Sequence, residues 1–423
     1  MKELLLHYVW QHRLFDTDML CTTDGRRVEV IDVGKVNTDA GPDFFNAKIK
    51  IDQTLWAGNV EIHTNSSVWE KHLHHQNKAY DNVILHVVEN ADCLVYRMDG
   101  EIIPQLELKF PTSLLDNYSH LITNKMWVPC AQKIHTVPSV IIQSWKNTLL
   151  TERLEQKISA INNLLETTNN HWEEAFYIIF ARNFGFATNS HAFELLAKSL
   201  PLSVLARHKD RLLAVEAMLF GQAGFLNVDV DDLYFKELKH EYNFYKSKFS
   251  LVPIDASLWK LLRLRPVNFP YVRIAQFASI IHKSSKLFSK ILENPTVENL
   301  SLLFECKSSS YWDNHYQFGS PTKHIVKHLG SQSIHSLIIN TVVPFLFAYS
   351  TQRDDDKMKE CAIQLLEQLP SEKNAIVTNW KELKISSNTA FDSQALLQLK
   401  NEYCDNKKCL RCRIGHKLLT NLS

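Results

Sequence analysis

"GPDFFNAKIKIDQTLWAGNVEIHTNSSVW", Gly41 to Trp69, decides the fold. In its first half Phe45, Ala47, Ile49 and Ile51 alternate with polar residues, the period of a strand with one buried face. Asp52-Gln53-Thr54 is a turn, and Leu55 to His63 returns as the partner strand. Ser67 followed by Glu70 has the capping-box spacing, which predicts a helix running to about Tyr80. The hairpin also carries three groups that a buried sheet does not need: Asp43, Glu61 and His63. Side chains two apart on a strand share a face, so Glu61 and His63 point the same way, and the turn lets Asp43 lie beside Glu61. Two carboxylates and an imidazole converging at a sheet end suit a hard divalent cation, magnesium or manganese.

Outward from this hairpin, Lys2 to Phe15 reads as a helix and Arg26 to Gly34 as a strand. Asn82–Glu89 and Cys93–Met98 read as two more strands, and Gly100–Phe110 as a further one. The order is helix, three strands, helix, two or more strands. From about Ile134 the texture becomes helical, and the boundary falls near Met126–Lys133. The expectation is an α+β domain over residues 1–125 and a mostly α-helical domain over residues 126–423.

The formal net charge of the 423 residues is +1, so any nucleic-acid surface must be a local patch. The N-terminal apolar run contains charge and lacks a cleavage site. The longest apolar stretch, Leu337–Tyr349, contains Asn340 and Pro344 and is too short to span a bilayer. It reads as a buried helix. The eight cysteines without a secretion signal read as reduced thiols. A cytoplasmic protein with no membrane partner is expected.

The order of elements and the spacing of the acids resemble the PD-(D/E)XK phosphodiesterase superfamily, with its restriction-endonuclease-like fold. The matching residues are Pro42-Asp43 and Glu61-Ile62-His63. The resemblance implies a metal-dependent nuclease in which Asp43 and Glu61 hold the metal with the Ile62 carbonyl. The group at position 63 would orient or deprotonate water, and nucleic acid would be the partner. The sequence departs from the pattern at His63, where the superfamily has lysine. Either His63 is the base, or a nearby lysine supplies the charge, or the site is degenerate. Lys48 and Lys50 face away from Asp43 by strand parity, which leaves Lys35 in the loop before the motif.

On the helix that follows, His72, His75 and Gln76 form one stripe with Tyr80 a turn beyond, and Trp69 and Leu73 form the apolar one. Gln76 and Tyr80 at this spacing resemble the RecB-like branch of the superfamily, where such a pair helps to place the DNA end. Nearly the whole chain is also similar to an uncharacterised bacterial family of unknown function. That similarity runs through "GPDF", "VEIH", "YDNVILHVV", "LFGQAGFL", "RPVNFPYVRIAQ" and the cysteine tail.

In the tail, Cys404, Cys409 and Cys412 follow C-x4-C-x2-C, a spacing that suits structural zinc or an iron–sulfur cluster. The fourth ligand is His416 or a distant cysteine such as Cys130; the resemblance to RecB-like nucleases, some of which pair three C-terminal cysteines with one from before the nuclease motifs, implies Cys21 instead. In the helical half, Arg263, Arg265 and Arg273 interleave with Phe269 and Tyr271, a pattern that tracks phosphates and stacks bases. The same residues also read as ion-paired arginines over a packed aromatic core. Likewise Asp43 reads as a turn residue, and Glu61, His63 and the histidines of the helix as solvated faces. Two further functions stand beside the nuclease: an inactive nuclease-like module that binds nucleic acid or protein, and a metallohydrolase of another class with His63, His72 and His75 as ligands.

Overall fold

The computed structural model describes residues 2–420. The chain forms two compact units, Met1–Trp145 with Leu399–Ser423, and Lys146–Gln398. The first is built on a mixed sheet with helices, and the second is helical. The change of texture near Met126 falls inside the first unit, because the helix α3 (Thr112–Thr123) packs against the helix Arg413–Thr420. The last three residues of the helical part lie outside the described ones.

The first unit opens with helix α1 (Lys2–Gln11). Its Leu5, Leu6, Val9 and Trp10 are buried, and it packs on the sheet at β4. The strands are β1 (Val28–Asp32), β2 (Lys35–Val36), β3 (Phe44–Ile51), β4 (Thr54–Asn65), β5 (Val83–Asn90) and β6 (Gln105–Glu107). They lie in the order β1-β3-β4-β5-β6, with β2 on β3. β1, β3 and β4 are antiparallel, while β5 pairs parallel with β4 and β6 with β5. Cys93–Met98 forms no strand of its own, only the isolated bridge Tyr96–Ile102.

The hairpin turns on Asp52, at φ +54°, whose carboxylate accepts the Arg27 N–H. A parallel pair needs a crossover connection, and residues 66–82 supply it. They do so differently from the sequence expectation. Helix α2 covers only Val68–Lys71, and two short 3-10 turns, His74–Gln76 and Lys78–Tyr80, follow. Leu73 breaks the helix at φ +59°, and Asn77 restarts the chain by accepting the Ala79 N–H. Ser67 makes no side-chain cap; its N–H donates instead to Asp92. Trp69 is fully buried with Tyr80, Val83, Val95 and Ile103, whereas Leu73 faces solvent.

A second difference lies in β3. Asn46 adopts φ +56° at a bulge in the β3–β4 pairing. The extra residue puts Phe44 rather than Phe45 on the buried face with Ala47, Ile49 and Ile51. Phe44→Leu is expected to cost about 1–2 kcal/mol, the loss of buried carbon. Phe45→Leu should stay within about 0.5 kcal/mol. Urea unfolding of the two variants checks the assignment.

In the second unit, Phe176, Phe180, Phe184, Phe277, Phe288 and Phe345 form an aromatic core. "LFGQAGFL" packs closely: a Cβ at Gly221 would stand 2.1 Å from the Tyr242 ring, and Gly224 takes φ +80° past the helix end. The helix Ser331–Arg353 is long and apolar enough to cross a membrane, but most of its surface is buried inside the unit. Lys146 and Asp392 form an ion pair at 2.8 Å, with side chains 3% and 12% exposed.

Candidate metal centre

Asp43 stands where the chain enters β3, and Glu61 lies in the buried half of β4. Two hydrogen bonds hold the strands together here: the Asp43 N–H donates to Glu61 Oε2 (3.1 Å), and the N–H of Ile62, the residue after Glu61, donates to Asp43 Oδ2 (2.9 Å). From α1, His7 brings Nε2 to 3.3 Å from the same Asp43 oxygen. The second Glu61 oxygen faces the other way. Its Oε1 is 3.4 Å from His63 Nε2 and 3.3 Å from His74 Nε2. Glu61 thus has a carboxylate neighbour on one side and two imidazoles on the other.

The histidines come from three elements. His63 follows Glu61 on the same face of β4. His86 lies beside Glu61 in the parallel register of β5, and its Nε2 is 2.9 Å from His63 Nδ1. His72 and His74 come from the crossover, on either side of the break at Leu73. The rings of His63, His72 and His74 stand 5.3–5.4 Å apart, and one nitrogen from each lies within 4.8 Å of the others. His74 is held by stacking on Tyr80, with centroids 3.8 Å apart.

Burial governs the charges. The Glu61 carboxyl is held well above the usual carboxylate range, first by desolvation and then by the charge of Asp43. His63 is pushed down to about 2 and His86 to about 3, again by desolvation first and then by neighbouring histidines. Desolvation also lowers His74. For His7 burial works against protonation, but the contact with Asp43 outweighs it and raises the pKa. Burial thus favours the neutral form of His63, His74 and His86, the form that ligates metals.

The structure brings Asp43, Glu61, His63 and His72 together and adds His7, His74 and His86, which the sequence reading did not select. His75 is turned aside and contacts Gln76 at 2.9 Å on the surface. Gln76 is exposed and Tyr80 buried, so they do not form a pair. Lys35 lies exposed on β2. A histidine inside the valine run of β5 was the one legible sign of His86.

The arginines separate. Arg263 and Arg265 are exposed, whereas Arg273 is buried and bonds Gln276 and Asn268, with its guanidinium 4.4 Å from the Phe186 ring centre. Among the cysteines, Cys130, Cys404, Cys409 and Cys412 line one cavity of about 20 Å³. Burial pushes the Cys130 thiol up to about 12 and the Cys409 thiol up to about 11. Cys21 is exposed, and His416 Nδ1 is engaged by the Tyr8 hydroxyl at 2.7 Å.

A family model described as "Protein of unknown function (DUF2851)" matches residues 3–375. Every residue of the histidine and carboxylate group falls within that span, and the three tail cysteines lie beyond it. No curated protein and no solved structure matches the chain.

Proposed function

We propose that this chain, which belongs to the DUF2851 family, is a metal-dependent phosphodiesterase acting on nucleic acid. The observation that carries the reading is that the Asp43 N–H bonds the Glu61 carboxylate while the Asp43 carboxylate accepts the Ile62 N–H, which sets the two acids side by side at one end of the mixed sheet. The strand order supports it: a helix, an antiparallel meander and a crossover to a parallel strand resemble the restriction-endonuclease-like core, with the acids at the matching places.

A divalent cation, magnesium or manganese, when bound supplies positive charge against that developing on a scissile phosphate. Asp43 and Glu61 Oε2 would hold it. His7 adds a nitrogen donor or, protonated, a positive charge beside Asp43. His63 stands where the superfamily has lysine, and as a buried neutral ring it brings no charge to the phosphate. Glu61 is itself buried, which keeps bulk water off its carboxylate.

The test is incubation of the full-length protein with labelled single- and double-stranded DNA and RNA. Cleavage that requires magnesium or manganese and stops with chelator is expected. Salt-sensitive binding without cleavage in either metal would instead identify a nuclease-like binding module, the reading favoured by the uncharged group at position 63.

The four cysteines around the small cavity are, in the same reading, a structural site for zinc or an iron–sulfur cluster, with Cys130 as fourth ligand. Cys412→Ser is expected to release that metal and lower stability by about 2.7 kcal/mol, the linkage value for a ligand at a hundredfold over its dissociation constant. Unchanged thermal unfolding with no bound metal in the wild type removes this part.

A further inference from the structure

Glu61 has two oxygens with different surroundings, and the nitrogen-rich side is not explained by a magnesium site. We propose that the chain holds a zinc-class transition-metal ion between Glu61 Oε1, His63 Nε2, His74 Nε2 and a ring nitrogen of His72. The proposal rests on reading this sheet end as a metal centre and names the ion it is built for; it does not require that the protein cut nucleic acid.

Donor spacing is the first argument. Two bonds of about 2.0–2.1 Å meeting near the tetrahedral angle put their donor atoms about 3.3–3.4 Å apart. Glu61 Oε1 lies 3.4 Å from His63 Nε2 and 3.3 Å from His74 Nε2. The nitrogens of His63, His72 and His74 fall within 4.8 Å of one another.

The second argument is an orphaned atom. His74 Nε2 is buried and has no hydrogen-bond partner, although a carboxylate oxygen is close. Buried polar atoms are normally satisfied. A ring nitrogen turned toward a shared point without hydrogen-bond geometry is accounted for by an ion at that point.

The third is the outer shell. His63 Nδ1 meets His86 Nε2 at 2.9 Å. With the proton on His63 Nδ1, its Nε2 is left as a bare donor toward Glu61, the arrangement by which ligating histidines are commonly fixed. The stack of His74 on Tyr80 fixes the second ring. His72 is exposed and closes the group from the solvent side.

The donor set then selects the ion. Magnesium prefers oxygen and keeps most of its waters, whereas three imidazoles with one carboxylate suit zinc and its neighbours.

The experiment is titration of chelator-stripped full-length protein with cobalt(II) as the zinc probe. One equivalent should give visible ligand-field absorption without the thiolate charge-transfer band that the cysteine group would add, and zinc should displace it. His72→Ala, at an exposed position, and His74→Gln should each weaken this absorbing site at least about tenfold, the loss that removing even an outer-shell partner produces. Asp43→Asn should keep it. Cobalt binding in a wild type that cleaves nothing defeats the phosphodiesterase reading and leaves this one standing. Wild-type cobalt affinity in His72→Ala and His74→Gln, or a spectrum of thiolate type alone, overturns this one even if magnesium-dependent cleavage is found.

Discussion

Asp43→Asn is expected to lower metal-dependent phosphodiester cleavage about a thousandfold while leaving the fold intact. The asparagine amide oxygen can still accept the Ile62 N–H that Asp43 Oδ2 accepts at 2.9 Å, so the loop stays anchored. What would be lost is one negative charge at the proposed cation. Metal stabilisation of developing charge is worth several kcal/mol, and about 4 kcal/mol corresponds to about three powers of ten in rate. Glu61→Gln should behave alike, since an amide oxygen can replace Oε2 as acceptor of the Asp43 N–H. Single-turnover cleavage under saturating manganese, beside circular dichroism of each variant, is the measurement. Wild-type rates in both variants would remove the two acids from the chemistry.

Asp392→Ala should destabilise the second unit by about 3–5 kcal/mol, because it strands the Lys146 ammonium without its counter-charge. Lys146 would keep only the Ser386 carbonyl as a partner. The Asn388 and Thr389 N–H groups would lose their shared acceptor, Asp392 Oδ2. Desolvation raises the Asp392 pKa, but the Lys146 bond and the backbone donors outweigh it, and the net shift is downward. A carboxyl depressed in the folded state stabilises at pH above its unfolded value, about 3.9. That contribution is lost as pH falls through the folded value. The wild type should therefore lose this contribution only below about pH 4, and the variant should show a flatter dependence there. Equal urea midpoints at neutral pH for the two proteins would contradict the assignment.

The hairpin, the acids at its far end and the strands flanking it were legible because strand alternation and turn residues are local signals, whereas Cys93–Met98 alternates without forming a strand and β2 was read as loop. The break at Leu73 was not. Nothing in "WEKHLHHQNKAY" forbids a helix, and the left-handed turn there is set by the short path between β4 and β5. With a continuous helix His75 joins the stripe; with the break, His74 turns inward instead. The bulge at Asn46 escaped for a similar reason, since alternation does not count an inserted residue. His7 and His86 went unselected because periodicity reports which way a side chain points and not what it meets across the sheet. Arg273 showed the opposite failure: its spacing beside aromatics fits a binding surface as well as it fits a core, and burial decided. For the tail, spacing alone left the companion of Cys404, Cys409 and Cys412 open, and the cavity that these three line with Cys130 is a tertiary feature.

The first unit is discontinuous in the chain, and its late segment is bound to its early one. Tyr8 meets His416, the Lys407 ammonium reaches the Ile122 carbonyl, and Arg413 bonds Ser144. Residues 1–145 are therefore translated more than two hundred and fifty residues ahead of the segment that completes their unit, with Lys146–Gln398 made in between. The packing of the first unit is completed by a segment translated after the whole of the second. Until Arg413–Thr420 has been made, the apolar surface that buries Ile414, Leu418 and Leu419, including that of the helix Thr112–Thr123, is left uncovered.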